Sequence, residues 1–123
     1  MGERKQVAAG RREAGQLGET LALEYLQARG LTLLERNFRC RMGEIDLVMR
    51  DGEAIVFVEV RLRTPGTYAS AAESIDARKQ KRIVAAAGLY LSARAEAPCR
   101  FDCVLLEHAR ADSIRWIKSA FDA

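Results

Sequence analysis

Glu19, Asp46, Glu59 and Arg61 are the residues whose types and spacing could do chemistry together. In GEIDLVMRDGEAIVFVEVRLR, residues 43–63, two apolar strands flank an Asp-Gly turn, and charged residues interrupt the apolar pattern. Side chains alternate along a strand, so Ile55, Phe57, Glu59, Arg61 and Arg63 share one face and Ala54, Val56, Val58, Val60 and Leu62 the other. By the same rule Ile45, Leu47 and Met49 fall on one face of the preceding strand, and Glu44, Asp46 and Val48 on the opposite one. A two-residue turn at Asp51-Gly52 sets Asp46 opposite Phe57 and Glu44 opposite Glu59. Asp46 and Glu59 then become diagonal neighbours on one face, roughly 7 Å apart at Cβ.

A third carboxylate comes from a separate pattern. On a helical wheel of residues 12–29, Thr20, Glu24 and Gln27 form the polar face, whereas Glu19 falls in the apolar arc between Leu26 and Leu23. A glutamate turned inward needs a partner. Three carboxylates converging on one point repel unless a cation neutralises them, and hard oxygen donors suit Mg²⁺ or Mn²⁺. Such an ion activates water and stabilises charge on a phosphodiester, with Arg61 placed to hold the phosphate. The plainer alternative for Glu59 alone is a surface ion pair with a nearby Arg or Lys.

The elements that must position these groups follow in order. Residues 1–12 hold Arg4, Lys5, Arg11 and Arg12 with almost no large apolar side chain and read as a mobile basic arm, leaving one domain over 13–123. A helix over 12–29 ends at Gly30; a strand at 31–38 precedes the two strands already described. RTPGTY is a loop. A second helix over 74–95 carries Ile83, Ala86, Ala87, Tyr90 and Leu91 as its apolar stripe, with Arg78, Lys79, Lys81 and Arg82 in its first turns. Strands at 100–106 and 113–118 close the chain. This order predicts an α/β fold, a mixed central sheet with helices on both sides.

Composition narrows the partners. Hydrophobic residues make up 49% and charged residues 30%, with a net charge of +3 and a pI near 9.0. That balance favours an anionic partner. For the basic cluster at 78–82, a solvated helix face and a phosphate contact are equally open. The cysteines, Cys40, Cys99 and Cys103, have no C-x-x-C spacing, so neither a disulfide framework nor a zinc site is expected. No secretory signal and no apolar run of about 18 residues is present, so a cytoplasmic protein without a membrane partner is expected. His108 reads as a loop residue, and Phe57, Phe101, Trp116 and Phe121 as core.

GQLGETLALEYLQARG, RNFRCRMGEIDLVMRDG, VFVEVRLR, ARKQKRIVAAAGLYL, CRFDCVLL and RWIKSAF, in this order, resemble the YraN family of small bacterial proteins. That family is similar to archaeal Holliday junction resolvases and the restriction endonuclease-like fold. The resemblance implies an αβββαβ core with a Glu on the first helix, an Asp on the second strand and an E-x-K pair on the third. These fall on Glu19, Asp46, and Glu59 with Arg61, where arginine replaces the lysine. It implies a metal-dependent endonuclease acting on DNA, including branched DNA. Asp46, Glu59 and Glu19 would hold the metal, and Arg39, Arg41, Lys79, Lys81 and Arg82 would follow the nucleic-acid backbone. Symmetric cutting of two strands would need a homodimer. Arginine cannot serve as a neutral amine, so a nucleic-acid-binding module that kept the fold and lost the chemistry stands as the alternative.

Overall fold

The computed structural model describes residues 2–63, 75–107 and 111–123, with side-chain surroundings from residue 15 onward except at 63 and 111. The RTPGTY loop beyond residue 63 and His108 lie outside the described residues. The elements are α1 (Gly2–Ala28), β1 (Thr32–Cys40), β2 (Gly43–Asp51), β3 (Ala54–Arg63), α2 (Ala77–Ser92), β4 (Cys99–Glu107), a 3₁₀ turn (Ala111–Ser113) and β5 (Ile114–Phe121). The αβββαβ core is present, with β5 added at the edge.

α1 begins at Gly2 rather than near residue 12. Its first half is rich in Ala, Arg, Glu, Lys and Gln, good helix formers that need no apolar stripe. The helix stops where Gly30 adopts φ +95°. There the Leu31 N–H donates to Leu26 O and the Gly30 N–H to Gln27 O, a Schellman closure that packs Leu31 against Leu26. α2 is shorter than its pattern because Asp76 caps it, accepting from the Lys79 N–H at 2.8 Å.

The sheet has the order β1-β2-β3-β4-β5, antiparallel except for the β3–β4 pair, which α2 connects. α1 covers one face, burying Ala22 and Leu26 against Leu47, Met49, Val56, Val58, Val104 and Leu106. α2 covers the other, burying Ile83, Ala86, Ala87 and Tyr90 against Ile55, Phe57, Phe101, Cys103 and Leu105. The aromatic residues pack rather than stack outward. Phe57 and Phe101 are buried, Phe121 stacks on Phe101, and Trp116 lies partly buried in the α1 layer.

Two details of the hairpin differ from the expectation. Asp51 pairs with Ala54, so the turn is Gly52-Glu53, with Gly52 at φ +60° in the first central position that a type II′ turn reserves for glycine. The register therefore moves by two residues, which preserves the faces. Ile45 is the second difference: it packs in the α2 layer, not with Leu47 and Met49 in the α1 layer. The β1–β2 ladder runs from Arg36↔Leu47 to Phe38↔Ile45 across Asn37, which sits at φ 55°. Asn tolerates this left-handed conformation, and it lies across from Asp46, where the alternation of β2 breaks.

Candidate functional site

β2 and β3 part company at Leu47↔Val58, the last pair of their ladder. Beyond it β2 stays with β1 while β3 continues beside β4 as far as Arg63. One further step of the β2–β3 register would set Asp46 across from Glu59, and both groups occupy this fork. The free Val60 N–H donates to Asp46 Oδ2 at 2.8 Å. A backbone donor left unpaired by the diverging strands is thus satisfied by a side chain.

Glu59 is 5% exposed, an uncommon state for a glutamate. Lys79, reaching from the first turn of α2, places Nζ 2.9 Å from Glu59 Oε1. No hydrogen-bond partner reaches Oε2. Arg61 lies farther off, with Nε 3.9 Å from Oε1, and that Nε is itself buried without a hydrogen-bond partner. Burial, and then the Asp46 carboxylate beside it, push the Glu59 pKa up to about 7 against the pull of Lys79 and Arg61. Burial also raises Asp46, partly offset by the Val60 N–H.

Glu19 arrives from α1, its side chain 14% exposed. Arg36 of β1 turns it toward the sheet: the guanidinium donates to Gln16 O at 3.2 Å and to Thr20 Oγ1 at 2.9 Å, and stands 4.0 Å from Glu19 Oε2. Thr20 is thereby drawn from the helix's polar face into a contact with the sheet. Burial and the neighbouring Asp46 carboxylate raise the Glu19 pKa, while Arg36 lowers it. The Asp46 charge acts on both neighbours, raising Glu19 and Glu59 alike.

The carboxylates thus form a row with Asp46 in the middle, rather than a ring. Among the described residues no three acid, thiol or imidazole groups are drawn around a single point. The donor set nevertheless fits a hard divalent cation, because two adjacent carboxyl groups held at raised pKa include an oxygen with no donor. A cation there would satisfy Glu59 Oε2 and remove the repulsion along the row.

The fork opens into a cleft of about 550 Å³ lined by Asp46, Glu59, Lys79, Arg39, Arg78 and Arg82, among others. Arg39 is tied to Glu44 at 3.2 Å on its rim. Arg41 and Lys81 are exposed but do not line the cleft. Sequence patterns pointed to Lys79 as a phosphate contact and did not identify it as the partner of Glu59. Asp76 offered a usable signal, since an N-cap there places residue 79 in the first helical turn, facing inward with Ile83 and Ala86 at helical spacing. Arg36 was missed because a single charge in a short strand carries no directional information.

The three cysteines are free. Cys103 is paired in register with Glu59, and burial followed by the Glu59 charge pushes its thiol up to about 12, which makes it inert as a nucleophile. Among the described residues no helix is long and apolar enough to cross a membrane.

The model of the uncharacterised protein family UPF0102 matches residues 18–106, which include every element of the fork and both helices' contacts to it. A UPF0102 protein of Pseudomonas putida is 52% identical over 121 residues, covering 94% of this chain and 98% of its own. One from Methylobacillus flagellatus is 48% identical over 112 residues, covering 91% of this chain and 99% of its own. A third, from a Janthinobacterium species, is 51% identical over 111 residues, covering 89% and 88%.

Proposed function

The chain belongs to the UPF0102 family, the YraN family of the sequence resemblance, and we propose that it is a divalent-metal-dependent nucleic-acid phosphodiesterase with DNA as substrate. The observation that carries this reading is the buried Glu59 carboxylate beside Asp46, with one oxygen lacking any donor, at the floor of an arginine-rimmed cleft. Asp46 and Glu59 would hold Mg²⁺ or Mn²⁺, and Glu19 would complete the oxygen set through its contact with Asp46. When bound, the ion supplies positive charge at the phosphodiester and acidifies an attacking water.

The chain's own residues do the rest. Arg36 and α1 hold Glu19 against the sheet, and the Val60 N–H fixes Asp46. Arg61, 31% exposed beside Glu59, supplies a positive charge suited to a phosphate oxygen. Arg78 and Arg82 on the rim give the backbone of a nucleic acid a place to lie. The resemblance to junction resolvases directs attention to branched DNA, for which two copies of the chain would supply two cuts.

The test is cleavage of duplex, single-stranded, flapped and four-way DNA in Mg²⁺ and in Mn²⁺. Wild type should cut at least one substrate, and Asp46→Ala should lose both metal binding and cleavage. Arg61→Ala should lose rate by a hundredfold or more, about 3 kcal/mol, while still binding metal. Arg61→Lys should equal or exceed wild type, because the charge returns on the lysine that the resembled motif uses. Cleavage undiminished in Asp46→Ala would expose a contaminant. A second reading, a binding module without chemistry, draws on the arginine at 61 and on Lys79 already occupying Glu59. Silence of both wild type and Arg61→Lys on every substrate, with DNA still bound, would establish it.

A further inference from the structure

Lys79 stands in the first turn of α2, which carries no acidic residue in that turn and has Arg78, Lys81 and Arg82 as neighbours. A cation there works against the helix dipole and against the other cations around it. Its backbone is pinned by the Asp76 cap, yet its side chain is 39% exposed and leads from the cleft to Glu59 Oε1. Among the described residues the ammonium is the nearest cation to Glu59, and its charge also acts on Asp46. It holds one oxygen of a carboxylate whose other oxygen has no donor.

We propose that Lys79 is a tethered occupant of the cation position, competing with the divalent ion for Glu59, so that metal binding releases its ammonium into the cleft beside Arg78 and Arg82. This rests on the metal-dependent reading above and adds a regulatory step to it. A divalent ion held by Glu59 and Asp46 would take over the carboxylate that Lys79 pairs with, and its charge would repel the ammonium. The backbone stays pinned at Asp76 while the freed side chain turns to the cleft, where a phosphate is the complementary anion. Arg61 does not have this role, because it makes no hydrogen bond to either oxygen of Glu59.

Calorimetric titration with Mn²⁺ and Mg²⁺, in the absence of nucleic acid, tests the competition directly. Lys79→Met keeps much of the aliphatic stem and removes the charge, and it should bind metal about fivefold or more tightly than wild type. Arg61→Met should tighten binding less, and Asp46→Asn should lose it. Thermal unfolding provides a readout independent of heat signals. Without metal Lys79→Met should unfold earlier than wild type, because Glu59 is left without its cation, and the same metal concentration should raise its Tm by more. Binding by wild type that is not tightened in Lys79→Met would overturn the competition while sparing the metal site. Absence of any heat or thermal shift at millimolar metal, in wild type and Lys79→Met alike, would overturn both.

Discussion

Glu59 and Asp102 are the two buried acids among the described residues, on neighbouring strands, and their surroundings are opposites. Asp102 is fully buried on β4, and its oxygens receive the Arg100 Nε at 3.1 and 3.2 Å, the Trp116 Nε1 at 2.9 Å and the Ser119 N–H at 2.9 Å. Arg100 then spans to Asp51 at 2.8 Å, tying the β2–β3 turn to the β4–β5 edge. Glu59 has one lysine and an empty oxygen. Each region also has one left-handed residue in a strand, Ser119 with its N–H on Asp102 and Asn37 across from Asp46. The same devices therefore serve two ends. A buried charge with every lone pair occupied holds strands together, whereas one left short of donors is a place for something else to bind.

The largest expected effect tests the closed half of this comparison. Asp102→Asn leaves Arg100 with the Asp51 carboxylate alone and Ser119 strained for a weaker acceptor, and should destabilise the fold by about 3 kcal/mol in chemical denaturation. Metal affinity measured well below the unfolding transition should stay at the wild-type value. A stable Asp102→Asn would mean that the cluster is decorative and the contrast with Glu59 is false.

Next comes the pH dependence of the open half. Because the folded protein raises Glu59 from its ordinary value to about 7, the folded state holds a proton that the unfolded state has released between about pH 4.5 and 7. Stability is therefore greatest below that window and falls as pH rises through it. Glu59→Gln should flatten the fall and be the more stable protein at pH 8, by about 2 kcal/mol, and saturating Mg²⁺ should flatten it in wild type. A wild-type stability that rises from pH 5 to 7 would contradict the geometry.

A smaller effect belongs to the kink. Asn37→Ala places an alanine at φ 55° and should cost about 1 kcal/mol, with a weakened metal affinity because Asp46 lies across from it. Asn37→Gly should restore the stability. If the alanine is neutral, the kink does not position Asp46.

The smallest effect separates cleft cations from surface ones. Arg82→Ala should reduce the salt dependence of duplex DNA binding by about one unit of log–log slope, and Lys81→Ala should leave it unchanged. Arg82 lines the cleft and Lys81 does not. Equal effects of the two would indicate that DNA contacts the helix outside the fork.

Local chemistry was sufficient for much of this molecule. Period-two alternation marked the strands and set Ile55 and Phe57 on the face opposite Val56 and Val58, and the 3.6-residue period turned Glu19 inward. Gly30 ended α1, and the helix between two strands required the parallel β3–β4 pair. These properties are legible because each depends on residues a few positions apart, whose relative directions the backbone geometry prescribes. The turn shifted by one residue, and the register by two, because two adjacent positions could each host the hairpin corner, and only the conformation of Gly52 selected between them. Ile45 packs in the layer opposite Leu47 and Met49, a side that the pattern of residues 43–51 did not disclose. The partners of the two buried acids were decided entirely by the assembled fold. Lys79 reaches Glu59 from twenty residues away, and Asp102 draws its donors from β4 and β5. A long side chain at the start of a helix has many destinations of nearly equal energy in the sequence, and only the packing of α2 against β2 and β3 leaves Lys79 the one that ends at Glu59.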